Sequence, residues 1–285
     1  MIGLKRNVPV AIVLLVVGGV LMFVWQTSRP PTPIGPIQPG PLVSPADTEF
    51  ARGLEALAED DFDEAFARFS AAIRLNPEQA DGYYYRGGIF FSRSEWKKAF
   101  DDFSDAIRLD PEHSRALFAR ATIHSRRQNY DWALADLAEA LRLQPENAFF
   151  LNNRAFVYRQ LHDYELAVAD YEAAMKLLPD HDAPLGGLAW VLATCPEESL
   201  RDGPRAVELA TRACELTNWK DRIALETLAA ACAECQDYET AVDRQQQALQ
   251  LIQNDPDRIA AARERLAQYE QHQPFRDAVI EQAGG

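Results

Sequence analysis

Apolar residues recur along this chain with a fixed period of 34 residues, and a proline closes each period. The four repeating sets are Ala65, Phe69, Ala72 and Pro77; Ala99, Phe103, Ala106 and Pro111; Ala133, Leu137, Ala140 and Pro145; and Ala167, Tyr171, Ala174 and Pro179. Steps of four and three residues place the apolar members of a set on one helix face. The residue before proline is steered out of the helical region, so each helix ends there. The period predicts an array of helical hairpins, each with a helix A, a turn and a helix B.

The repeat sets the predicted domain organisation. The clear units span 46–79, 80–113, 114–147 and 148–181, and weaker units span 182–220 and 221–254. The connection between the two helices of the fifth unit is several residues longer than in the others. Apolar residues at helical spacing in 255–273 predict a capping helix that covers the last hairpin. We therefore expect an all-α fold of about six hairpins and one cap.

Small residues mark the positions where the two helices of a hairpin approach each other. These positions on helix A are Gly53, Gly87, Ala121 and Ala155. They face the first alanine of each helix B set, and a larger side chain there is predicted to force the helices apart.

Charged residues follow the same period. Helix A carries Arg52, Arg86, Arg120 and Arg154, and helix B carries Asp102, Asp136 and Asp170, with Arg68 in the first unit. Pairing within a repeat satisfies three arginines, whereas pairing forward would leave Asp170 opposite Leu188. We predict pairing within each repeat, which fixes register more than it adds stability.

An uncharged apolar stretch lies near the start of the chain, at residues 8–25. As a helix it would rise about 27 Å, the thickness of the hydrocarbon layer. It predicts one transmembrane helix within residues 1–29. Lys5 and Arg6 before it, against Arg29 after it, place the N-terminus in the cytosol and the repeats on the extracytoplasmic, periplasmic side. Cleavage as a signal peptide, which would give a secreted protein, is the alternative.

A proline-rich linker comes next, at residues 30–45, with seven prolines. Proline supplies no backbone donor, so this segment is predicted to form an extended, semi-rigid stalk.

Charge and motifs narrow the function. Beyond Arg29 there are 26 basic residues (29 less Lys5, Arg6 and Arg29) against 43 acidic ones, so nucleic acid is excluded as a partner. The sequence has no glycine-rich phosphate loop, nucleophile elbow or zinc-binding His-Glu-x-x-His. We therefore predict no enzymatic activity and no cofactor.

The repeat pattern resembles the tetratricopeptide repeat (TPR) family, of a bacterial membrane-anchored kind. The resemblance implies an α-α superhelix whose stacked A helices line a concave groove for segments of other proteins. The groove positions carried over are Phe50, Tyr84, Tyr85, Phe91, Phe118, Arg126, Asn152, Asn153, Phe156, Arg159 and Trp190. Aromatic rings bury large area at low entropic cost, which suits an extended or helical guest. The alternative is that these rings pack between A helices, and self-association stays open.

Four cysteines, Cys195, Cys214, Cys232 and Cys235, lie in the last two units. The Cys-x-x-Cys spacing of Cys232 and Cys235 is the basis of an alternative function, a thiol- or metal-dependent redox accessory. Core packing or a structural disulfide are the competing interpretations.

Overall fold

The computed structural model describes residues 10–17, 20–27 and 44–277. From residue 44 onward the described chain is helical, with thirteen α-helices and one short 3₁₀ turn. The helices are α1 Pro45–Ala58, α2 Phe62–Leu75, α3 Ala80–Ser92, α4 Trp96–Leu109, α5 Ser114–Arg126, α6 Tyr130–Leu143, α7 Ala148–Gln160, α8 Tyr164–Leu177, α9 Asp182–Thr194, α10 Gly203–Leu216, α11 Arg222–Glu234, α12 Tyr238–Gln250 and α13 Pro256–Glu270. They form six hairpins and a final helix, so the prediction of an all-helical repeat fold is confirmed for these residues.

The chain divides into two compact units, residues 1–144 and 145–285. Helices α1 to α6 form three hairpins in the first unit, and α7 to α13 form three hairpins and the last helix in the second. Within the second unit, the A helices α7, α9 and α11 pack one on the next.

The predicted transmembrane helix at residues 8–25 is wrong in its conformation. The structure has two antiparallel strands there, β1 Val10–Val17 and β2 Val20–Thr27, paired so that Val17 lies opposite Val20. Residues 8–25 contain eight valines and isoleucines and a central Gly-Gly pair, a composition that favours a hairpin over a helix. Among the described residues, no helix has the length and apolarity needed to span a membrane. The linker predicted at 30–45 lies outside the described residues except Ser44 and Pro45, which begin α1 as its cap and first residue.

The turn between the two helices of a hairpin repeats in backbone conformation at the 34-residue period, although its residue type changes. Asp60, Ser94, Gln128 and His162 stand 34 residues apart and adopt positive φ angles of 58°, 60°, 60° and 63°. A left-handed residue ends helix A sharply and lets helix B fold back along it. The fifth hairpin instead spans the gap from Thr194 to Gly203 with the short 3₁₀ turn, in agreement with its longer predicted connection.

The small residues of helix A meet the aromatic residues of helix B. A Cβ atom on Gly53 would lie 2.6 Å from the ring of Phe69, and one on Gly87 would lie 2.8 Å from the ring of Phe103. Both rings are fully buried. The close approach predicted from the sequence is therefore present, but the ring rather than the facing alanine sets the limit.

The predicted charge pairs within repeats are confirmed. The guanidinium groups of Arg86, Arg120 and Arg154 each donate two hydrogen bonds to a helix B carboxylate, of Asp102, Asp136 and Asp170 respectively, at 2.6–2.9 Å. In the first repeat Arg68 donates across to Glu49 at 2.9 Å instead. The polarity of the pair is thus reversed where the sequence breaks the series.

The final helix closes the second unit, as predicted for a cap. The side-chain amide of Gln245 on α12 donates to the carbonyl of Ala262 on α13 at 3.0 Å. Tyr269, at the other end of α13, is fully buried.

Candidate functional site

Most of the predicted groove residues in the first unit form its core. Tyr84, Tyr85, Phe91 and Phe118 are only 3–8% exposed. The ring of Tyr85 stacks on Phe69 at 5.3 Å. Four of the eleven predicted residues are therefore core residues that expose little area to a partner. This agrees with the alternative interpretation, in which the rings pack between helices.

Phe50 and Arg126 are the two predicted residues of this unit that are not buried. Phe50 is half-buried and its ring meets Tyr85 edge-on at 5.6 Å. Arg126 is exposed, and its guanidinium lies 4.2 Å from the centre of the Trp96 ring. Phe50 thus lies with Tyr84 and Tyr85, whereas Phe91 and Arg126 both contact Trp96.

The two predicted asparagines lie on α7 in the second unit and are half-buried. The side chain of Asn153 donates to the carbonyl of Phe149 one turn earlier, at 3.0 Å. The side-chain oxygen of Asn152 is buried and accepts no hydrogen bond from the described residues. Asn153 is thus engaged with its own helix.

Three predicted residues of the second unit do come together. The guanidinium of Arg159 lies 5.2 Å from the ring of Phe156 and 6.0 Å from the ring of Trp190. Phe156 and Arg159 are three residues apart on one face of α7, and Trp190 reaches them from α9. Phe156 is 38% exposed, more than any other phenylalanine whose burial the structure describes.

Two further residues belong to this cluster and were missed by sequence analysis. The guanidinium of Arg265 on α13 lies 5.9 Å from the Trp190 ring, and Thr194 stands one turn after Trp190 on α9. We call Phe156, Arg159, Trp190, Thr194 and Arg265 the Trp190 site. Arg265 lies outside the repeats from which groove positions were carried over, so the periodic pattern held no signal for it.

Two arginines border the indole of the Trp190 site. Arg159 and Arg265 both approach the indole, and Arg265 also pairs with the buried carboxylate of Glu226 at 3.0 Å. Guanidinium groups beside aromatic rings attract both aromatic and anionic groups. The arrangement can therefore bind a segment that carries a ring and a carboxylate.

The chain's own C-terminal segment lies on the same surface. The ring of Phe275 lies 5.7 Å from that of Trp190, and the indole Nε1 of Trp190 donates to the carboxylate of Asp277 at 3.1 and 3.2 Å. The hydroxyl of Thr194 lies 2.8 Å from the carbonyl oxygen of Trp190 and 3.2 Å from this carboxylate, so the two acceptors share its single proton. Burial, with the nearby negative charge of Asp277, raises the pKa of the Tyr164 hydroxyl, which stays protonated as a hydrogen-bond donor.

The cysteines show none of the features of a reactive pair. Burial raises the pKa of Cys232 to about 11 and that of Cys214 to about 12, and it also raises the pKa of Cys195 and Cys235. All four are free thiols. In the part of the chain that the structure describes, no group of three or more histidines, cysteines and carboxylates could hold a metal ion. A low thiol pKa is what a redox cysteine requires, so the thiol alternative gains no support.

Comparison with family models identifies the repeats. Residues 50–114 match one model described as the tetratricopeptide repeat, and residues 114–147 and 148–181 each match a second model with the same description. The last two ranges coincide with the third and fourth units read from the sequence. No curated protein sequence matches this chain.

Solved structures share the fold. A chain of the APC/C hetero-tetramer Cut9–Hcn1 is 19% identical, with a TM-score of 0.63 over 80% of this chain and 48% of that chain. PilF from Pseudomonas aeruginosa is 19% identical, with a TM-score of 0.62 over 77% of this chain and 97% of its own. YrrB, a TPR protein with an unusual peptide-binding site, is 20% identical, with a TM-score of 0.50 over 69% of this chain and 97% of its own.

These structural similarities concern the fold alone. The chain spans about half the length of the Cut9–Hcn1 chain that it matches, at 48%. Identities of 19–20% support a shared fold, but they do not assign the ligands of those proteins to this chain. This chain therefore carries tetratricopeptide repeats over residues 50–181 and has the all-helical fold of TPR proteins.

Proposed function

We propose that this protein is a non-catalytic scaffold that binds segments of other proteins at the Trp190 site. Its TPR fold is consistent with a role in protein–protein interaction. The peptide-binding site of the TPR protein YrrB supports the proposal by analogy of fold. Of the predicted groove, the proposal retains Phe156, Arg159 and Trp190.

The observation that carries the proposal is the exposed ring of Phe156 beside two other recognition groups. Phe156 is 38% exposed and lies 5.2 Å from the guanidinium of Arg159, which also reaches Trp190. Tryptophan, tyrosine and arginine dominate the binding energy of protein interfaces, and aromatic rings are enriched at interface centres. A partner's side chain would cover Phe156 and remove it from water, which is favourable by about 25 cal/mol per Å² buried.

Site-specific photo-crosslinking tests this assignment. A photoreactive phenylalanine analogue replaces Phe156 in the full chain, and the matched control carries it at Leu166, which is 51% exposed on the B helix α8. We expect adducts from position 156 that are absent at 166. The partner segment recovered from the adduct should then bind the purified chain, and Arg159→Ala should weaken that binding about tenfold or more. Equal adducts at both positions would refute the site.

We also propose that the protein is located at a membrane, with the repeats on the extracytoplasmic side; this localisation is separate from the helical conformation predicted for residues 8–25, where the structure has two strands. It is supported by the uncharged sequence of residues 8–25 and the placement of Lys5 and Arg6 before it. The full chain should remain with the membrane fraction after alkaline extraction, and added protease should reach the repeats from the extracytoplasmic side alone. Cleavage as a signal peptide would instead release a shortened chain, which the intact mass would reveal.

A further inference from the structure

The last described residues of the chain form a strap across the Trp190 site. Residues 274–277 leave α13 without regular secondary structure and are half-buried. The backbone N–H of Asp277 donates to the carbonyl of Thr194 at 2.9 Å, at the end of α9. A segment more than 80 residues away in sequence thus lies on the surface proposed for a partner.

Two side chains of the strap, those of Phe275 and Asp277, both contact Trp190. Phe275 places its ring against the indole of Trp190, and Asp277 accepts the hydrogen bond from the indole N–H. Arg276, between them, reaches the other way to the carboxylate of Glu234 and the carbonyl of Ala193. The side chains of residues 275, 276 and 277 thus alternate in direction, as in an extended chain, where residues two apart project to the same side.

The chemistry of the site matches both anchors. Arg265 lies 5.8 Å from the ring of Phe275 and 5.9 Å from that of Trp190, so one guanidinium borders both rings. The carboxylate of Asp277 accepts a hydrogen bond from the indole of Trp190 and shares the hydroxyl proton of Thr194, and both donors are neutral. The surface is therefore complementary to an aromatic residue followed two positions later by an acidic residue.

The strap can be displaced without unfolding the unit. Displacement breaks the ring contact of Phe275, the ion pair of Arg276 with Glu234, the hydrogen bonds of Asp277 and one backbone hydrogen bond, but no helix or strand would have to break. The tether to α13 is short, so the strap competes at an effective concentration in the millimolar range. Such a competitor lowers the apparent affinity of a partner by the fraction of molecules in which the site is open.

We propose that Pro274–Asp277 is an intramolecular ligand that closes the Trp190 site, and that partner segments displace it with the same two anchors. The partner class is an extended peptide with an aromatic residue and, two residues later, a carboxylate. This inference rests on the proposed function, since it assigns the ligand chemistry and the regulation of the same site.

Binding of the strap as a separate peptide tests the inference. The probe is a fluorescent, C-terminally amidated peptide with the sequence of residues 271–277, measured by anisotropy. The proteins are the full chain, the full chain with Phe275→Ala and Asp277→Asn, and a matched control with Gln271→Ala and Gln273→Ala, whose side chains are exposed. We expect the strap variant to bind the peptide at least tenfold more tightly than the other two.

A further substitution locates the binding. Trp190→Phe in the strap variant keeps a ring but removes the donor to the carboxylate, and it should weaken peptide binding about tenfold. Circular dichroism verifies that each variant is folded. Asp277→Asn alone, which removes only the charge, provides a milder second variant and should raise peptide affinity in the same direction.

Equal affinities of the wild-type chain and the strap variant would overturn the inference, and so would the absence of peptide binding by the folded strap variant. Failure of the peptide experiment, with crosslinks retained at position 156, would remove the strap and leave the proposed function. Peptide binding without any crosslinks at position 156 would retain the strap as a ligand of the Trp190 site and refute the proposed binding of partner proteins there.

Discussion

The guanidinium group of Arg120 on α5 holds the carboxylate of Asp136 on α6 with two hydrogen bonds of 2.8 and 2.7 Å. The carboxylate side chain is only 9% exposed, and the arginine side chain is 24% exposed. A charge buried to this degree depends on its partner, because removal of the partner leaves an uncompensated charge in a poorly solvated place. The pair therefore fixes how helix A sits against helix B.

Disruption of this pair should lower stability through coupling between the two residues. We expect Arg120→Met to decrease the free energy of unfolding by about 2–4 kcal/mol, and the double variant with Asp136→Leu to recover part of that loss. A double-mutant cycle in urea measures the coupling. The exposed pair Arg142–Glu139 has similar geometry and should show no measurable coupling. Additive effects at Arg120 and Asp136 would contradict the prediction.

Adjacent glycines on α3 should respond to alanine in opposite directions. A Cβ on Gly87 would lie 2.8 Å from the buried Phe103 ring and 3.1 Å from the Cβ of Asp102, whereas one on Gly88 meets no described atom within 4 Å. Gly87→Ala should therefore destabilise the protein by about 1–3 kcal/mol. Gly88→Ala should stabilise it by about 0.5–1 kcal/mol, because alanine favours the helix interior. Thermal unfolding of the two variants tests the contrast, which equal shifts would refute.

Alanine substitutions of Phe118 and Phe156 should differ in their effect on the free energy of unfolding, because Phe118 lies in the core and Phe156 on the proposed binding surface. Phe118 is 3% exposed and Phe156 is 38% exposed. Phe118→Ala should cost about 3–5 kcal/mol of unfolding free energy through the cavity it leaves. Phe156→Ala should cost less than about 1 kcal/mol, as expected for a surface position. Denaturant unfolding measures both, and a large loss for Phe156→Ala would show that its ring is structural.

Thiol labelling should distinguish the one exposed cysteine from the three buried ones. Burial raises the pKa of Cys232 to about 11, so at pH 8 only about one molecule in a thousand carries its thiolate, the reactive form. Cys235 is exposed and should react with iodoacetamide first, faster as the pH rises toward its own raised pKa. Cys195, Cys214 and Cys232 should react only after unfolding. Peptide mass analysis identifies the labelled sites, and rapid labelling of Cys232 in the native chain would revive the redox hypothesis.

The local features of the repeat could be predicted because each depends on residues close in sequence. The pairs of Arg86, Arg120 and Arg154 with their aspartates all span 16 residues, the distance across one hairpin. Helix geometry and a short turn fix that distance, so the spacing alone selects the partner. The strands at Val10–Val17 and Val20–Thr27 show that the length and apolarity of a segment do not by themselves distinguish a helix from a strand pair. An apolar run at residues 8–25 has the length of one spanning helix and also of two strands of 8 residues, and its β-branched residues and diglycine carried more information than its length.

The groove residues were only partly predictable, because a helical position gives direction but not depth. Tyr84 and Tyr85 are neighbours in the series of groove positions, yet both are core residues that meet edge-on at 5.1 Å. Which ring is covered depends on the side chains that the preceding hairpin supplies, such as Phe69 against Tyr85. Those contacts arise from packing between hairpins and are not encoded in the spacing of one helix.

By itself, the sequence determined the hairpins, their number and the charge pairs inside them, since a 34-residue period repeats the same short-range geometry. Only the tertiary structure decided which aromatic rings reach the surface and what lies on Trp190. The contact of Asp277 with Trp190 joins residues 87 positions apart, one within a repeat and one after α13. No periodic rule relates such positions, because the closure of a long loop depends on where the folded helices leave complementary groups exposed.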